Sequence, residues 1–343
     1  MVIKFLNKKG QEFEIDCGED EILLQAGLRN GVVLPYECST GTCGSCKALA
    51  KPGTVNVNEK DLDGFKNVKI SKGEFLLCQG TAKENCKILL NTNLSKSNKD
   101  KQLPFHQKAY LKDFKEVARE TITANFYLSG KISFKAGQYI IVKHPSVEGY
   151  RAYSMTNFEE NSDLLSLVIK NKINGKLTNY LFDSKDDEIK FDIFGPIGKA
   201  TFNPLEKKNL LMIAGGTGIA GLMSILNHAD QLRYFEDYKV DLFFGVRKYE
   251  DFFFLDEISN LSKKYIGNFN IYFITSDEKV DSKISSCDVS NGFVHEVFES
   301  NLKSDYSERI AFLGGPSKMI DLLIPTLLKI GINPDSVRYD KFG

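Results

Sequence analysis

Cys38, Cys43, Cys46 and Cys78 are spaced C-x4-C-x2-C with a distant fourth. That is the ligand spacing of a plant-type [2Fe–2S] cluster, in which four thiolates hold two irons. The loop Cys38-Ser39-Thr40-Gly41-Thr42-Cys43-Gly44-Ser45-Cys46 consists of small residues, so its backbone can curl round an inorganic core and aim amides at sulfur. Gly41 and Gly44 adopt positive φ at low cost, as a tight wrap requires. Cys78 lies in Glu74-Phe75-Leu76-Leu77-Cys78-Gln79, an apolar strand-like run that presents its thiolate from the other side. Zinc is an alternative for four cysteines, but structural zinc sites usually come as two pairs close in sequence. Disulfides would need an oxidising compartment, and the apolar run within Met1 to Gly10 is broken by Lys4, Lys8 and Lys9, unlike a signal peptide. Cys17, Cys86 and Cys287 fit no ligand pattern, and Cys86 reads as a small buried hydrophobe on a strand.

Two further groups of residues point to bound cofactors. Arg151-Ala152-Tyr153-Ser154 alternates along a predicted strand, so Arg151 and Tyr153 share a face. There the guanidinium can clamp a diphosphate while the ring lies against a flat aromatic group. Lys170, Gly175, Lys176 and Thr178 stand at the entrance to a predicted helix over 178–182, where amides and a hydroxyl suit a phosphate. Downstream, Leu210-Leu211-Met212-Ile213-Ala214 runs into Gly215-Gly216-Thr217-Gly218-Ile219-Ala220. A buried strand, a glycine turn and a helix start make a seat for a dinucleotide pyrophosphate, although this is not G-x-G-x-x-G. Gly245-Val246-Arg247 and Gly314-Gly315-Pro316 mark further strand ends, where ligands of such sheets collect. Taken singly, each of these motifs reads equally as surface packing or an ordinary turn.

The elements that must position these residues fall into three modules. Short alternating segments over 2–6 and 12–15, then a helix over 22–30 stopped by Gly31, precede the cluster loop. Residues 93–103 are polar and lysine-rich before Pro104, which reads as a flexible linker. The runs 106–114, 122–128, 138–143 and 165–170 are short and alternating, an antiparallel β-barrel pattern. From about residue 205, apolar strands at 210–214, 240–245, 271–275 and 310–314 alternate with helical stretches, the pattern of a parallel α/β sheet. The expected fold is multidomain, α+β and α/β. It comprises a small cluster domain over 1–92, a linker over 93–103, an antiparallel barrel over 104–204, and a parallel nucleotide-binding sheet over 205–343.

Composition excludes some partners. The 343 residues hold 45 basic and 45 acidic side chains, a balance that argues against nucleic acid and anionic membranes. Residues 209–226 carry no charge and approach the length of a membrane span, but their glycines indicate strand, turn and helix. A cytoplasmic monomer is expected. His106, His144, His228 and His295 form no metal-ligand spacing.

In this order, the cluster loop, linker, R-x-Y-S, G-x-x-T, GGTGIA and GGP resemble the iron–sulfur flavoprotein reductases of the ferredoxin–NADP reductase superfamily. The similarity is greatest to the oxygenase-reductase type. It implies a β-grasp plant-type ferredoxin domain over 1–92, an antiparallel flavin-binding β-barrel over 104–204 and an NAD(P)-binding domain over 205–343 that ends in an aromatic tail. The resemblance implies that Arg151 binds the FAD pyrophosphate, Tyr153 packs on the isoalloxazine and Ser154 hydrogen-bonds near the reactive flavin nitrogen. It also implies that Lys170, Gly175 and Thr178 help hold FAD, and that Gly215, Gly216, Thr217 and Gly218 form the nicotinamide-dinucleotide loop. Arg247, Asp277, Gly315 and Pro316 complete the coenzyme site, while Phe342 covers the other flavin face.

Three departures stand out. Gly314 replaces the cysteine common in the family's Cys-Gly-Pro, and Gly221 replaces a proline that usually follows GGTGIA. Asp277 stands where NADPH-specific relatives place a Ser-Arg pair, which favours NADH, although Arg247 offers a 2′-phosphate a charge partner. The implied activity is electron transfer from NADH through FAD and [2Fe–2S] to a separate protein, an oxygenase component. Alternatives are an iron–sulfur deoxysugar dehydrase as acceptor (the CDP-glucoseen reductase type), or a redox-sensing module without efficient turnover.

Overall fold

A computed structural model describes residues 1–97, 102–284, 287–302 and 305–342. The first unit begins with strands β1 (Val2–Asn7) and β2 (Glu12–Asp16) and helix α1 (Leu23–Arg29). Strands β3 (Lys47–Ala50), β4 (Val55–Val57), β5 (Glu74–Leu76), β6 (Gly80–Ala82) and β7 (Cys86–Leu90) follow. Its five-stranded sheet has the order β2-β1-β7-β3-β5, with β1 and β7 parallel. Alternation explains the pairing: in β1, Ile3 and Phe5 point inward while Lys4 stays outside. Helix α1 ends at Asn30 and Gly31, whose φ of 74° suits glycine.

The second unit comprises β8 (Phe105–Ala118), β9 (Thr121–Ile132), β10 (Tyr139–Lys143), β11 (Arg151–Ser154), β12 (Ser162–Lys170), helix α2 (Lys176–Asp183) and β13 (Ile189–Ile197). These six strands form one antiparallel sheet, in the order β11-β10-β13-β8-β9-β12. The sheet curls into a half-barrel: no ladder joins β11 to β12, although the Thr156 amide donates to the Ser166 carbonyl at 2.8 Å.

The third unit contains β14 (Leu210–Gly215), α3 (Ile219–Gln231), β15 (Val240–Val246), α4 (Leu255–Lys264), β16 (Phe269–Thr275), β17 (Lys283–Ile284) and β18 (Cys287–Asn291). Helix α5 (Val294–Ser300), β19 (Ile310–Pro316), α6 (Ser317–Lys329) and β20 (Val337–Phe342) complete it. The sheet runs β17-β18-β16-β15-β14-β19-β20 and is parallel except at β17. Strand order reverses between β14 and β19, so the crevice where ligands of such sheets bind opens at their carboxyl ends. The uncharged 209–226 segment is the strand, turn and helix of this crevice. No helix among the described residues is long and apolar enough to cross a membrane.

The units are fastened together. Tyr139, Ile141, Phe194 and Ile197 of the half-barrel belong to the same continuous apolar core as Leu23, Leu24 and Leu34 of the first unit. Residues 95–97 of the expected linker are also bound: the Val33 amide donates to Ser95 and the Ser97 amide to Gly31. Gln102 accepts from the Ser133 amide at 2.7 Å. The middle of that segment, 98–101, lies outside the described residues.

Candidate functional site

The four cluster cysteines meet as two pairs. The Cys43 amide donates to Cys38 Sγ at 3.4 Å, and Cys46 Sγ lies 3.4 Å from Cys78 Sγ. Cys38, Cys46 and Cys78 are buried, and Cys43 is half-exposed. All seven cysteines are free thiols. Among the described residues, no three metal-capable side chains converge on one ion position. Two thiol pairs match a binuclear core, in which each iron takes two of the four thiolates. Within the first pair the two thiols share one proton: the Cys43 thiol first, then Thr42 and the amides of Thr40 and Cys43, hold Cys38 below the ordinary thiol range against the cost of burial, while Cys38 and burial push Cys43 up.

Gly41 and Gly44 have φ of 89° and 75°, as the wrap demands. Cys78 departs from its expected strand. Strand β5 stops at Leu76, and Cys78 rides a single 3-10 turn over Leu77–Gln79. Pairing with β3 reaches only Lys47 opposite Leu76, after which the Leu77 amide donates to Cys46 O and the chain turns inward. Cys86 lies on β7 as a buried hydrophobe.

The half-barrel brings Arg151, Tyr153 and Ser154 onto β11, against β10. Arg151 donates to the Tyr150 carbonyl at 2.9 Å and makes no ion pair among the described residues. A guanidinium with no direct ion pair suits a diphosphate. Burial pushes the Tyr153 hydroxyl up to about 12, as expected for a ring lining a dry slot. Gly175 caps α2 without a side-chain bond, and a β-carbon there would stand 2.4 Å from Thr178 Oγ1 and 2.8 Å from Lys172 O. Only glycine leaves this turn open. Thr178 Oγ1 accepts from the Lys172 amide at 3.1 Å. These features fit FAD. Lys170 is engaged elsewhere: its Nζ lies 3.1 Å from Asp251 Oδ1 in the third unit.

At the crevice, Gly215, Gly216, Thr217 and Gly218 form the β14 end and a 3-10 turn leading into α3. Gly216 has φ of 54°, and a β-carbon at Gly218 would stand 2.0 Å from Gly314 O. Arg247 and Asp277 are exposed neighbours on adjacent strand ends, the Asp277 amide donating to Arg247 O at 2.9 Å. Asp277 Oδ1 accepts from Ser276 Oγ at 2.6 Å. Gly315 and Pro316 end β19, where they pair with Lys341 and Phe342 of β20. The terminal aromatic is thus a strand residue, not a frayed end. This open, glycine-lined crevice fits a nicotinamide dinucleotide.

Two cavities tie the motifs together. Ser154, Gly218, Gly314, Asp340 and Phe342 line a small one of about 10 Å³. Asp340 and Ala200 also line a second of about 240 Å³, whose far wall is Tyr36 and Glu37, next to Cys38. The cluster loop is held there by three tyrosines. Tyr139 OH donates to Glu37 O and contacts Ser39 Oγ at 2.8 Å, Tyr339 OH donates to Glu37 Oε1 at 3.1 Å, and Tyr36 OH accepts from the Gly198 amide at 3.1 Å.

Sequence reasoning missed two residues here. Asp340 is pushed up to about 7, by burial first and the Glu37 carboxylate second. Phe293 is 56% exposed beside the carboxyl ends of β16 and β18, after Gly292, whose amide donates to Thr275 O. The only signal for Phe293 is an aromatic that follows glycine at a strand end.

Three family models match the chain: a 2Fe-2S iron-sulfur cluster binding domain over 6–83, an oxidoreductase FAD-binding domain over 108–202, and an oxidoreductase NAD-binding domain over 212–323. The xylene/toluene monooxygenase electron transfer component of Pseudomonas putida is 27% identical, covering 97% of this chain and 92% of its own. The ferredoxin–NAD(+) reductase component of the Xanthobacter autotrophicus alkene monooxygenase system is 29% identical, covering 95% and 97%. The ferredoxin reductase in carbazole 1,9a-dioxygenase has a similar structure, with a TM-score of 0.82 at 24% identity over 100% of this chain and 99% of that one.

Proposed function

This chain belongs to the iron–sulfur flavoprotein reductases of the ferredoxin–NADP reductase superfamily, and from that premise we propose that it passes electrons from NADH by way of FAD and [2Fe–2S] to a separate oxygenase component. It is an oxidoreductase whose domains bind a [2Fe–2S] cluster, FAD and NAD(P). When bound, FAD accepts an electron pair from reduced nicotinamide and releases single electrons, the conversion a one-electron cluster needs.

The observation that carries this reading is the shared wall. Asp340 and Ala200 face the cavity beside Ser154 and Phe342 on one side and the Tyr36–Glu37 segment before Cys38 on the other. The coenzyme crevice, flavin slot and cluster loop therefore adjoin without a gap for another protein. In this reading Arg151, Gly175 and Thr178 hold the FAD phosphates, while Tyr153 and Phe342 flank its ring. Ser154 offers the ring a hydrogen bond, and the turn Gly215–Gly218 with Gly315 and Pro316 cradles the coenzyme. Cys38, Cys43, Cys46 and Cys78 ligate the cluster. Asp277 accepts from a free ribose hydroxyl and repels a 2′-phosphate, which supports NADH. The exposed Phe293 ring offers the adenine a stacking face. The acceptor is assigned from the relatives, which are electron-transfer components of monooxygenases. The free thiols are in keeping with a cytoplasmic setting.

The test is a visible spectrum of anaerobically purified protein titrated with NADH. Flavin and iron–sulfur bands that bleach at sub-stoichiometric NADH support the relay, and bands that ignore NADH refute it.

A further inference from the structure

Asp251 joins the half-barrel to the nucleotide-binding sheet. It closes a 3-10 turn over Tyr249–Asp251, separated from Arg247 by the single residue Lys248, and its side chain is 2% exposed. Arg119, from the turn between β8 and β9, grips this carboxylate with both arms. Its Nη2 lies 3.1 Å from Oδ1 and 3.0 Å from Oδ2, and its Nε lies 3.2 Å from Oδ1. Lys170, at the end of β12, adds a second partner at 3.1 Å, and the Lys248 amide a third at 3.1 Å. Both cations come from one corner of the half-barrel, since Lys170 pairs with Thr121 and the Asn171 amide donates to Glu120 O. A buried carboxylate with a forked arginine is a strong and directional contact.

A second fastening runs along α3. Asn227 donates to Thr156 O and Gln231 to Phe158 O, each at 2.9 Å, and His228 stacks on Phe158 at 3.9 Å. Further contacts join the same bodies: Arg338 donates to Thr201 O at 2.7 Å, and Ala136, Val168 and Phe202 of the half-barrel share an apolar core with Leu210 and Leu222. The Asp251 clamp therefore sets the local register of its own corner rather than holding the bodies together alone. The turn that Asp251 pins follows Arg247 after the single residue Lys248; the Arg247 carbonyl accepts from the Asp277 amide, and the Tyr249 amide donates to Glu278 at 3.2 Å.

We propose that Asp251 is a positioning residue: with Arg119 and Lys170 it locks the Arg247–Asp277 coenzyme edge at a fixed distance from Ser154. The proposal rests on the reading of that edge as the coenzyme site. It also gives Lys170 an interdomain task in place of the phosphate contact expected from the sequence. Reaction between two bound groups depends on their approach to within a few tenths of an ångström, and a shift of about 1 Å can cost roughly 100-fold in rate.

The experiment compares the holoenzyme with Asp251→Asn, Asp251→Glu and Lys170→Met. Stopped-flow absorbance gives the flavin reduction rate at saturating NADH and the apparent Kd for NADH. Calorimetry of the same samples without NADH gives the unfolding profile. Asp251→Asn should slow reduction about 10- to 100-fold with little change in Kd, and should broaden or split the parental unfolding profile. Asp251→Glu should recover part of the rate, because its carboxylate can still meet Arg119. Parental rate and parental unfolding in Asp251→Asn would overturn the proposal, as would a loss confined to Kd. Should Asp251→Asn not fold, Lys170→Met decides: slower reduction at full FAD content supports the clamp, and loss of FAD returns Lys170 to the phosphate. A parent protein that NADH does not reduce would refute the proposed function instead, and the calorimetric comparison would still judge the clamp.

Discussion

A β-carbon at Gly314 would stand 2.2 Å from the carbonyl oxygen of Gly218. The contact is reciprocal, since one at Gly218 would meet Gly314 O at 2.0 Å. The two glycine turns at the crevice interlock backbone against backbone, and neither has room for a side chain. The cysteine common at this position in relatives is therefore incompatible with the turn as it folds here. Gly314→Cys should lower stability by about 1–3 kcal/mol through overpacking and slow NADH-driven flavin reduction. Thermal unfolding and stopped-flow absorbance check this; a faster, equally stable variant would contradict it.

Cys43→Ser removes one thiolate from the Cys38–Cys43 pair and leaves the flavin slot intact. It should abolish cluster absorbance and acceptor reduction while ferricyanide reduction by NADH persists through the flavin. Parallel loss of both activities would contradict the division of labour between the units.

Asp277→Arg exchanges an exposed anion for a cation beside Arg247. The ratio of kcat/KM for NADPH over NADH should rise about tenfold or more, equivalent to roughly 1.4 kcal/mol. Steady-state kinetics with both coenzymes measures it, and an unchanged ratio would remove Asp277 from coenzyme selection.

Glu21 offers a pH test of docking. Burial would raise its pKa, but His106, then Arg29 and the Gly18 amide, outweigh that and take it from the ordinary 4.5 to about 2. His106 belongs to β8, so the pair spans the seam between cluster unit and half-barrel. A depressed folded pKa means the stabilisation is complete above about pH 4.5 and is lost as pH falls towards 2. Glu21→Gln should remove about 1 kcal/mol at pH 7, since Arg29 and His106 are themselves partly exposed and solvent screens them, and should flatten the acid limb of a stability-versus-pH curve. Arg29 and Gly18 lie in the cluster unit with Glu21, so His106→Ala isolates the seam: a parental acid limb in that variant would show that the pair does not hold it.

Legibility in the sequence followed locality. The cluster loop compresses three ligands and two turn glycines into nine residues, so its spacing alone carries its chemistry. The crevice was equally legible, because strand, glycine turn and helix follow each other directly from Leu210 to Ala220. What was missed depends on partners distant in the chain. Nothing near Lys170 in the sequence announces its contact with Asp251, 81 residues on. Strand β20 was read only as a tail, since a parallel partner supplies no hairpin signal. Asp340 acquires its raised pKa from burial and Glu37, a conjunction that only folding creates. Residues 95–97 were polar enough to read as linker, yet backbone bonds to Gly31 and Val33 hold them, and such bonds are blind to side-chain composition.

The apolar core that Tyr139, Ile141, Phe194 and Ile197 share with the cluster unit limits how such proteins can be recombined. Severing the chain between these units would leave each half with a bare greasy face and a tendency to aggregate. A foreign ferredoxin spliced onto this reductase would need a matching face as well as a working cluster. Interchange of parts between homologues should therefore succeed only when the cut is moved to carry that seam along.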